Sequence, residues 1–191
     1  SELKNFKFIH ISTDCVFKGN ESIYFENSFK SATDIYGLSK SLGEEIQSDS
    51  SLIIRTSIIG HELKKKDGLL EWFLSQKTKV WGYDKVIYSG LTTVELARII
   101  IKIIKRKQIS GLYQISSNKI SKFDLLNKIK KIYKLETKIR KNVKKKKMLV
   151  LNSEKFKKKT SIKIKNWDKQ ISEMKKFFLK YQLPIKKKIL K

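Results

Sequence analysis

The sequence predicts an α/β fold in which an open parallel sheet is flanked by helices. Three observations predict it. Short apolar runs at residues 6–12, 52–59 and 111–115 have the aromatic and β-branched content of buried strands. Longer stretches between them carry apolar residues at helical spacing and begin at capping residues. The resulting order of strand, helix, strand, helix, helix, strand is that of parallel strands joined by helical crossovers.

The first run, Phe-Lys-Phe-Ile-His-Ile-Ser at 6–12, reads as a buried strand, and a polar loop containing Gly19-Asn20 follows it. Thr33 or Asp34 caps a helix predicted over 35–47. Residues 52–59 form the second strand, which ends at Gly60, and 68–76 a short amphipathic helix. Thr92 or Thr93 caps a strong helix with Glu95 near its start and Lys105, Arg106 and Lys107 at its end, charges that complement the macrodipole. The third strand spans 111–115. Ser121 then opens a helix with Phe123, Leu126, Ile129 and Tyr133 at core spacing. Beyond Lys138 the pattern weakens: 144–147 reads as a solvated lysine loop and 171–181 as the last helix. No internal repeat is present.

Composition bounds the function classes. With 191 residues, 40% of them hydrophobic, the chain can build one core, or one core and a small lobe. The longest apolar stretch, 96–104, is interrupted by Arg98 and Lys102, so a membrane span is not expected. No signal-peptide pattern follows Ser1, and the single cysteine, Cys15, cannot form an internal disulfide; both features fit a cytoplasmic protein. The net charge of +26 is unevenly placed: residues 1–60 carry 6 basic and 8 acidic side chains, residues 121–191 carry 26 and 5. Arginine contributes only Arg55, Arg98, Arg106 and Arg140, and no zinc-finger spacing or RNP-type aromatic motif occurs. Lysine and isoleucine excess at tolerant positions accounts for the tail, and no nucleic-acid partner is expected.

The chemistry sits in the least basic third. Tyr36 and Lys40 form a Tyr-x-x-x-Lys pair, which places both side chains on one helix face. An ammonium beside a phenol favours the phenolate and so makes the phenol a better acid/base. The spacing alone carries little, because seven tyrosines in so lysine-rich a chain produce such pairs by chance. Its setting adds weight: Ser12-Thr13 ends the first strand, where open parallel sheets build their sites and where a hydroxyl can hold a substrate oxygen.

Ser12-Thr13-Asp14-Cys15-Val16-Phe17-Lys18-Gly19, then Tyr36-Gly37-Leu38-Ser39-Lys40-Ser41-Leu42-Gly43-Glu44, resemble the extended short-chain dehydrogenase/reductases, and among them the dTDP-4-dehydrorhamnose reductase family. Arg55-Thr56-Ser57 resembles that family's next strand end. The resemblance continues loosely through Gly111-Leu112-Tyr113 and Leu151-Asn152-Ser153 to Phe156. It implies the C-terminal part of a doubly wound, Rossmann-like parallel-sheet domain (residues 1–60 and 92–117) with a small α/β substrate-binding lobe and basic tail (61–91 and 118–191). No Gly-x-Gly-x-x-Gly occurs, so the dinucleotide fingerprint is expected outside this sequence.

The resemblance also implies roles. NADP or NAD would be the cofactor and a nucleotide sugar the substrate. Tyr36 would protonate the substrate oxygen, Lys40 would tune Tyr36 and bind the nicotinamide ribose, and Thr13 would hold the reacting oxygen. Asp14, Val16 and Phe17 would line the sugar site, and Ser57 and Ile58 would border the nicotinamide. The implied activity is reduction of a 4-keto-6-deoxy nucleotide sugar for surface polysaccharide synthesis. A nucleotide-sugar epimerase or dehydratase, a non-catalytic dinucleotide-binding regulatory subunit and a basic binding module stay open, as does a homodimer.

Two departures bear on the substrate. Val86-Ile87-Tyr88-Ser89-Gly90-Leu91-Thr92 stands where the reductases often have Asp-Gln-x-Gly-x-Pro-Thr, and Ile58 where some relatives have tryptophan. His10 is expected to pack within its strand. His61-Glu62 follows a strand end without a second histidine nearby, so no metal site is expected. Trp72, Phe73 and Trp81 are expected to pack the lobe.

Overall fold

The structure, a computed structural model, describes residues 8–45, 50–62, 67–105 and 109–189, with side chains to residue 181. β1 (Phe8–Thr13) leads through one 3₁₀ turn (Asp14–Val16) to α1 (Ile35–Gly43) and β2 (Ser51–Thr56). β3 (Ile58–Ile59), α2 (Leu69–Leu74), β4 (Lys79–Tyr83), β5 (Val86–Tyr88) and β6 (Leu91–Thr92) precede α3 (Thr93–Ile104). β7 (Gly111–Gln114), β8 (Ile120–Ser121), α4 (Lys122–Tyr133), β9 (Lys138–Asn142) and β10 (Lys147–Leu149) follow. α5 (Glu154–Thr160) and α6 (Trp167–Ile189) complete the order.

The three apolar runs form one parallel sheet of order β1-β2-β7, with Ile11 opposite Ile54 and Ile54 opposite Tyr113. Central β2 is buried at every position, which is why it reads as a run rather than an alternation. The expected second strand is not continuous. At Ser57 the chain changes partners, and Ile58–Ile59 pairs with β6 instead. Two contacts make the switch: Thr56 Oγ1 donates to Ile115 O (2.7 Å), and Leu91 N donates to Ser57 O (2.8 Å). Gly90 allows that approach, since a Cβ there would lie 2.7 Å from Ser57 O.

Of the paired cap candidates, Asp34, Thr92 and, as expected, Ser121 accept the orphan amides of Gly37, Glu95 and Asp124. α1 stops at Gly43 with Glu44 as its C-cap. Residues 46–47 of the expected helix lie outside the described residues, as do Phe6, Lys7, Arg106 and Lys107. The last helix begins earlier than expected, at Trp167, and extends to Ile189. The expected loop at 144–147 is shorter by one residue: Lys147 starts β10, which pairs in parallel with β5.

Two large clusters of buried side chains organise the molecule. One joins the sheet to α3 through Leu52, Ile54, Ile99 and Ile103, and also takes Phe156 and Ile162 from the C-terminal segment. The other joins α2, α4 and α6 through Phe73, Leu125, Ile129 and Ile171. Of the three aromatic residues expected to pack the lobe, only Phe73 is in the core; Trp72 and Trp81 are 38% and 50% exposed. No described helix is long and apolar enough to cross a membrane.

Candidate functional site

The C-terminal end of β1 is shaped by the side chain of Thr13. It caps the following turn, its Oγ1 accepting from Cys15 N (3.1 Å) and donating to Asp14 Oδ1 (3.3 Å). Asp14 is buried, and burial holds its carboxyl above the usual carboxylate range despite hydrogen bonds from Ser57, Thr13 and Cys15. The Cys15 thiol is likewise pushed up, chiefly by burial and then by the Asp14 charge.

α1 lies antiparallel across β1, and close approaches along its length set its position. A Cβ at Gly37 would sit 2.5 Å from Cys15 O, and one at Gly43 would sit 2.9 Å from the His10 ring. Between them Lys40 Nζ donates to Ile11 O (3.1 Å). The first turn of α1, with Tyr36, is therefore beside the Thr13–Cys15 corner, and the Tyr36 side chain is 53% exposed. His10 is packed beneath Gly43, as expected for a strand histidine, with its Nε2 buried and without a partner.

The other end of α1 is tied to the sheet by a buried ion pair. Arg55 Nε and Nη2 donate to the two oxygens of Glu44 (2.9 and 2.6 Å), and Ser12 Oγ donates to Oε1 (2.5 Å). The guanidinium also lies 4.9 Å from the Phe17 ring centroid. Glu44 ends the Tyr36–Glu44 motif and Arg55 opens the Arg55-Thr56-Ser57 motif, which was the one sequence signal for their role. Their pairing aligns α1 against both β1 and β2.

Asp14, Ser57 and Ile58 border one cavity of about 420 Å³ with Tyr88, Lys122 and Lys147. Tyr36 and Lys40 are outside this lining; they adjoin it through Cys15, which lines the cavity and packs against Gly37. Val16 and Phe17 require a correction. Both side chains are buried, with exposures of 0% and 1%, in a cluster with Tyr24 and Leu151. Phe17 stacks on Tyr24 with ring centroids 4.1 Å apart. The turn after Asp14 rotates these two apolar side chains into the core, so neither lines an open sugar site.

Tyr88, Lys122 and Lys147 were not read as site residues from the sequence. Tyr88 Oη is buried with no hydrogen-bond partner, and its pKa is raised, mainly by burial and then by Asp14. His61 also borders the cavity. Its Nδ1 is 2.7 Å from Glu71 Oε1, its Nε2 is 2.8 Å from Tyr133 Oη, and its ring stacks on Phe178. It thereby links α2, α4 and α6. A larger cleft, about 760 Å³ and bordered by Asn118, Asp124 and Asp168, touches none of the expected site residues. The smaller cavity is the one at the carboxyl ends of parallel strands, where α/β sheets place their ligands.

The family model described as the RmlD substrate binding domain matches residues 1–179. Among solved structures, the chain is similar to the dTDP-4-dehydrorhamnose reductase of Bacillus anthracis in complex with NADP. The TM-score is 0.76 at 20% identity, over 88% of this chain and 64% of that one. A hypothetical dTDP-4-dehydrorhamnose reductase from Sulfolobus tokodaii is 28% identical over 85% of this chain and 62% of that one, with a TM-score of 0.70. The dTDP-glucose 4,6-dehydratase of B. anthracis in complex with NAD has a TM-score of 0.71 at 15% identity, over 92% of this chain and 62% of that one. The chain thus spans less than two thirds of each of these structures. No curated protein matches the sequence. The shared architecture is a Rossmann-like α/β fold, in agreement with the parallel sheet that the apolar runs predict. With its strand-end Ser-Thr-Asp, its Tyr-x-x-x-Lys helix and a family match over residues 1–179, the chain belongs to the RmlD substrate binding domain family of the extended short-chain dehydrogenase/reductases.

Proposed function

We propose that this chain provides the proton-transfer helix and the sugar pocket of an NAD(P)H-dependent reductase acting on a 4-keto-6-deoxy nucleotide sugar, in surface polysaccharide synthesis. The observation that carries this reading is the packing of α1 on the end of β1, which brings the Tyr36 turn beside Thr13 and Asp14. The names of the similar reductases, one of them in complex with NADP, support it.

The residues present fit a nicotinamide dinucleotide. Lys40 uses one donor on Ile11 O, which leaves N–H groups for ribose hydroxyls. Tyr36 is open to solvent, and Ile58, 53% exposed next to Ser57, offers an apolar edge for a flat ring. Such a cofactor supplies the hydride that reduces the ketone carbon. The Tyr36 hydroxyl donates its proton to the ketone oxygen as charge develops there, and the product is the alcohol. Thr13 donates to the same oxygen; its present bond to Asp14, at 3.3 Å, is long enough to exchange. The Lys40 ammonium stabilises the phenolate left on Tyr36.

The test is steady-state turnover of the whole protein. Tyr36→Phe is expected to lower kcat by roughly 10²–10⁴-fold, with cofactor Kd nearly unchanged, because the hydroxyl acts in the transition state. Undiminished turnover would show that the acid is another group. The dehydratase likeness motivates a second reading, a nucleotide-sugar dehydratase or epimerase. Net consumption of NADPH with substrate separates the reductase from both. Tight dinucleotide binding without any turnover would instead fit a regulatory subunit.

A further inference from the structure

We infer that Lys122 and Lys147 form an anion subsite in the cavity beside Asp14, which holds a phosphate or carboxylate group of the substrate. The inference deepens the reductase reading and rests on it for the identity of the substrate as a nucleotide sugar. The small sheet of order β10-β5-β8 builds the subsite. Lys147 is the first residue of β10, Tyr88 the last of β5, and Lys122 directly follows β8, so three neighbouring strands present two ammoniums and a phenol to one cavity.

Each lysine is positioned by local structure. The Lys147 stem crosses Gly19, whose φ is +86°; a Cβ there would lie 2.6 Å from Lys147 Cγ. The bonds from Lys147 N to Lys85 O (3.1 Å) and from Met148 N to Gly19 O (2.8 Å) secure this crossing. Lys122 occupies the first turn of α4, where the positive end of the helix dipole disfavours a cation. A lysine there gains nothing from the helix, whereas an anion in the cavity would be attracted by both the ammonium and the dipole.

Neither ammonium is hydrogen-bonded or ion-paired to a described residue within 4.0 Å. Asp14 acts on both lysines through space, but among the described residues neither it nor Glu62 forms a close ion pair with either. Asp14 is committed to Thr13 and Cys15, and Glu62 accepts from Asp67 N (2.9 Å). Burial holds the Lys122 ammonium below the usual lysine range; the Asp14 charge opposes this and the Lys147 charge adds to it. An anion between the two lysines would relieve their mutual repulsion and replace the hydration that Lys122 has lost. Tyr88 Oη, buried without a partner, supplies a neutral donor for the same group.

The group has two sources in a nucleotide sugar, the diphosphate or an acid on the sugar. Calorimetric titration of the whole protein with inorganic pyrophosphate and with glucuronate, at fixed ionic strength and without cofactor, distinguishes them. Lys122→Met and Lys147→Met keep the packed stems and remove one charge each. Each is expected to weaken binding of the recognised probe by roughly tenfold or more, and Lys122→Arg is expected to restore most of it. Loss confined to pyrophosphate assigns the diphosphate; loss confined to glucuronate assigns a sugar acid. Failure of the wild type to bind either probe, or equal binding by wild type and both methionine variants, overturns the subsite. These probes need neither hydride nor ketone. Lysine-dependent binding in a protein without turnover would sink the reductase reading alone, and turnover with no lysine effect on either probe would sink the subsite alone.

Discussion

Removing Arg55 should expose how strongly α1 depends on its buried anchor. Arg55 and Glu44 are 1% and 3% exposed, so the pair is not discounted by solvent screening. In Arg55→Met the aliphatic stem stays, but Glu44 loses both guanidinium bonds and, among the described residues, keeps Ser12 Oγ as a close donor. Breaking a buried pair from one side typically costs about 3–5 kcal/mol, because the remaining charge is desolvated without compensation. Lys30 Nζ, 3.9 Å from Glu44 Oε2 and already paired to Glu45, can move closer and offset part of this. A loss of about 3 kcal/mol is therefore expected. The double variant Arg55→Met with Glu44→Met removes both charges and should cost much less than the sum of the single changes. Urea unfolding of the whole protein, followed by far-UV circular dichroism and the fluorescence of Trp72, Trp81 and Trp167, measures all three. A loss below about 1 kcal/mol in Arg55→Met, or strict additivity in the double variant, would refute the anchor.

Other consequences are testable with the same unfolding assay. Gly37→Ala should destabilise by about 1–3 kcal/mol and impair turnover, because its methyl would meet Cys15 O at 2.5 Å and Ala32 Cβ at 2.6 Å; an unchanged midpoint would show that α1 yields without cost. Phe156→Ala should cost about 3–5 kcal/mol, since the ring is fully buried and lies edge-on to Tyr113. His61 and His10 are both held below the ordinary histidine range, chiefly by burial, so the unfolded chain binds their protons more readily than the folded one. The stability they contribute is present above about pH 6.5 and is lost as pH falls from there toward the folded values. His61→Gln should flatten that acid limb, and an identical pH profile in the variant would count against the role of His61.

The sequence by itself determined the parts whose signals are local. Residues 6–12, 52–59 and 111–115 read as strands because strands packed within a sheet are rich in apolar and β-branched side chains, although only β2 is buried throughout and Phe8–Ile11 of β1 are exposed or half-buried. Asp34, Thr92 and Ser121 read as caps because a short polar side chain reaches an amide three residues on. Tyr36 and Lys40 share a face because the helix repeat requires it. The motif residues Glu44 and Arg55 were visible, but their bond was not, since it joins a helix end to a strand.

What only the tertiary structure decided involves short elements and distant partners. β3, β5, β6, β8 and β10 are two or three residues long, too short to display a period. Phe17 follows Asp14 by three residues, yet the intervening turn sends one side chain to the core and leaves the other at the cavity. Lys122 and Lys147 look like any of the 44 basic residues until β5 brings β8 and β10 together beside Asp14. Charge type is written in the chain, but whether a charge meets water, a partner or a ligand depends on which layers pack against it, and that packing is set by residues more than a hundred positions away.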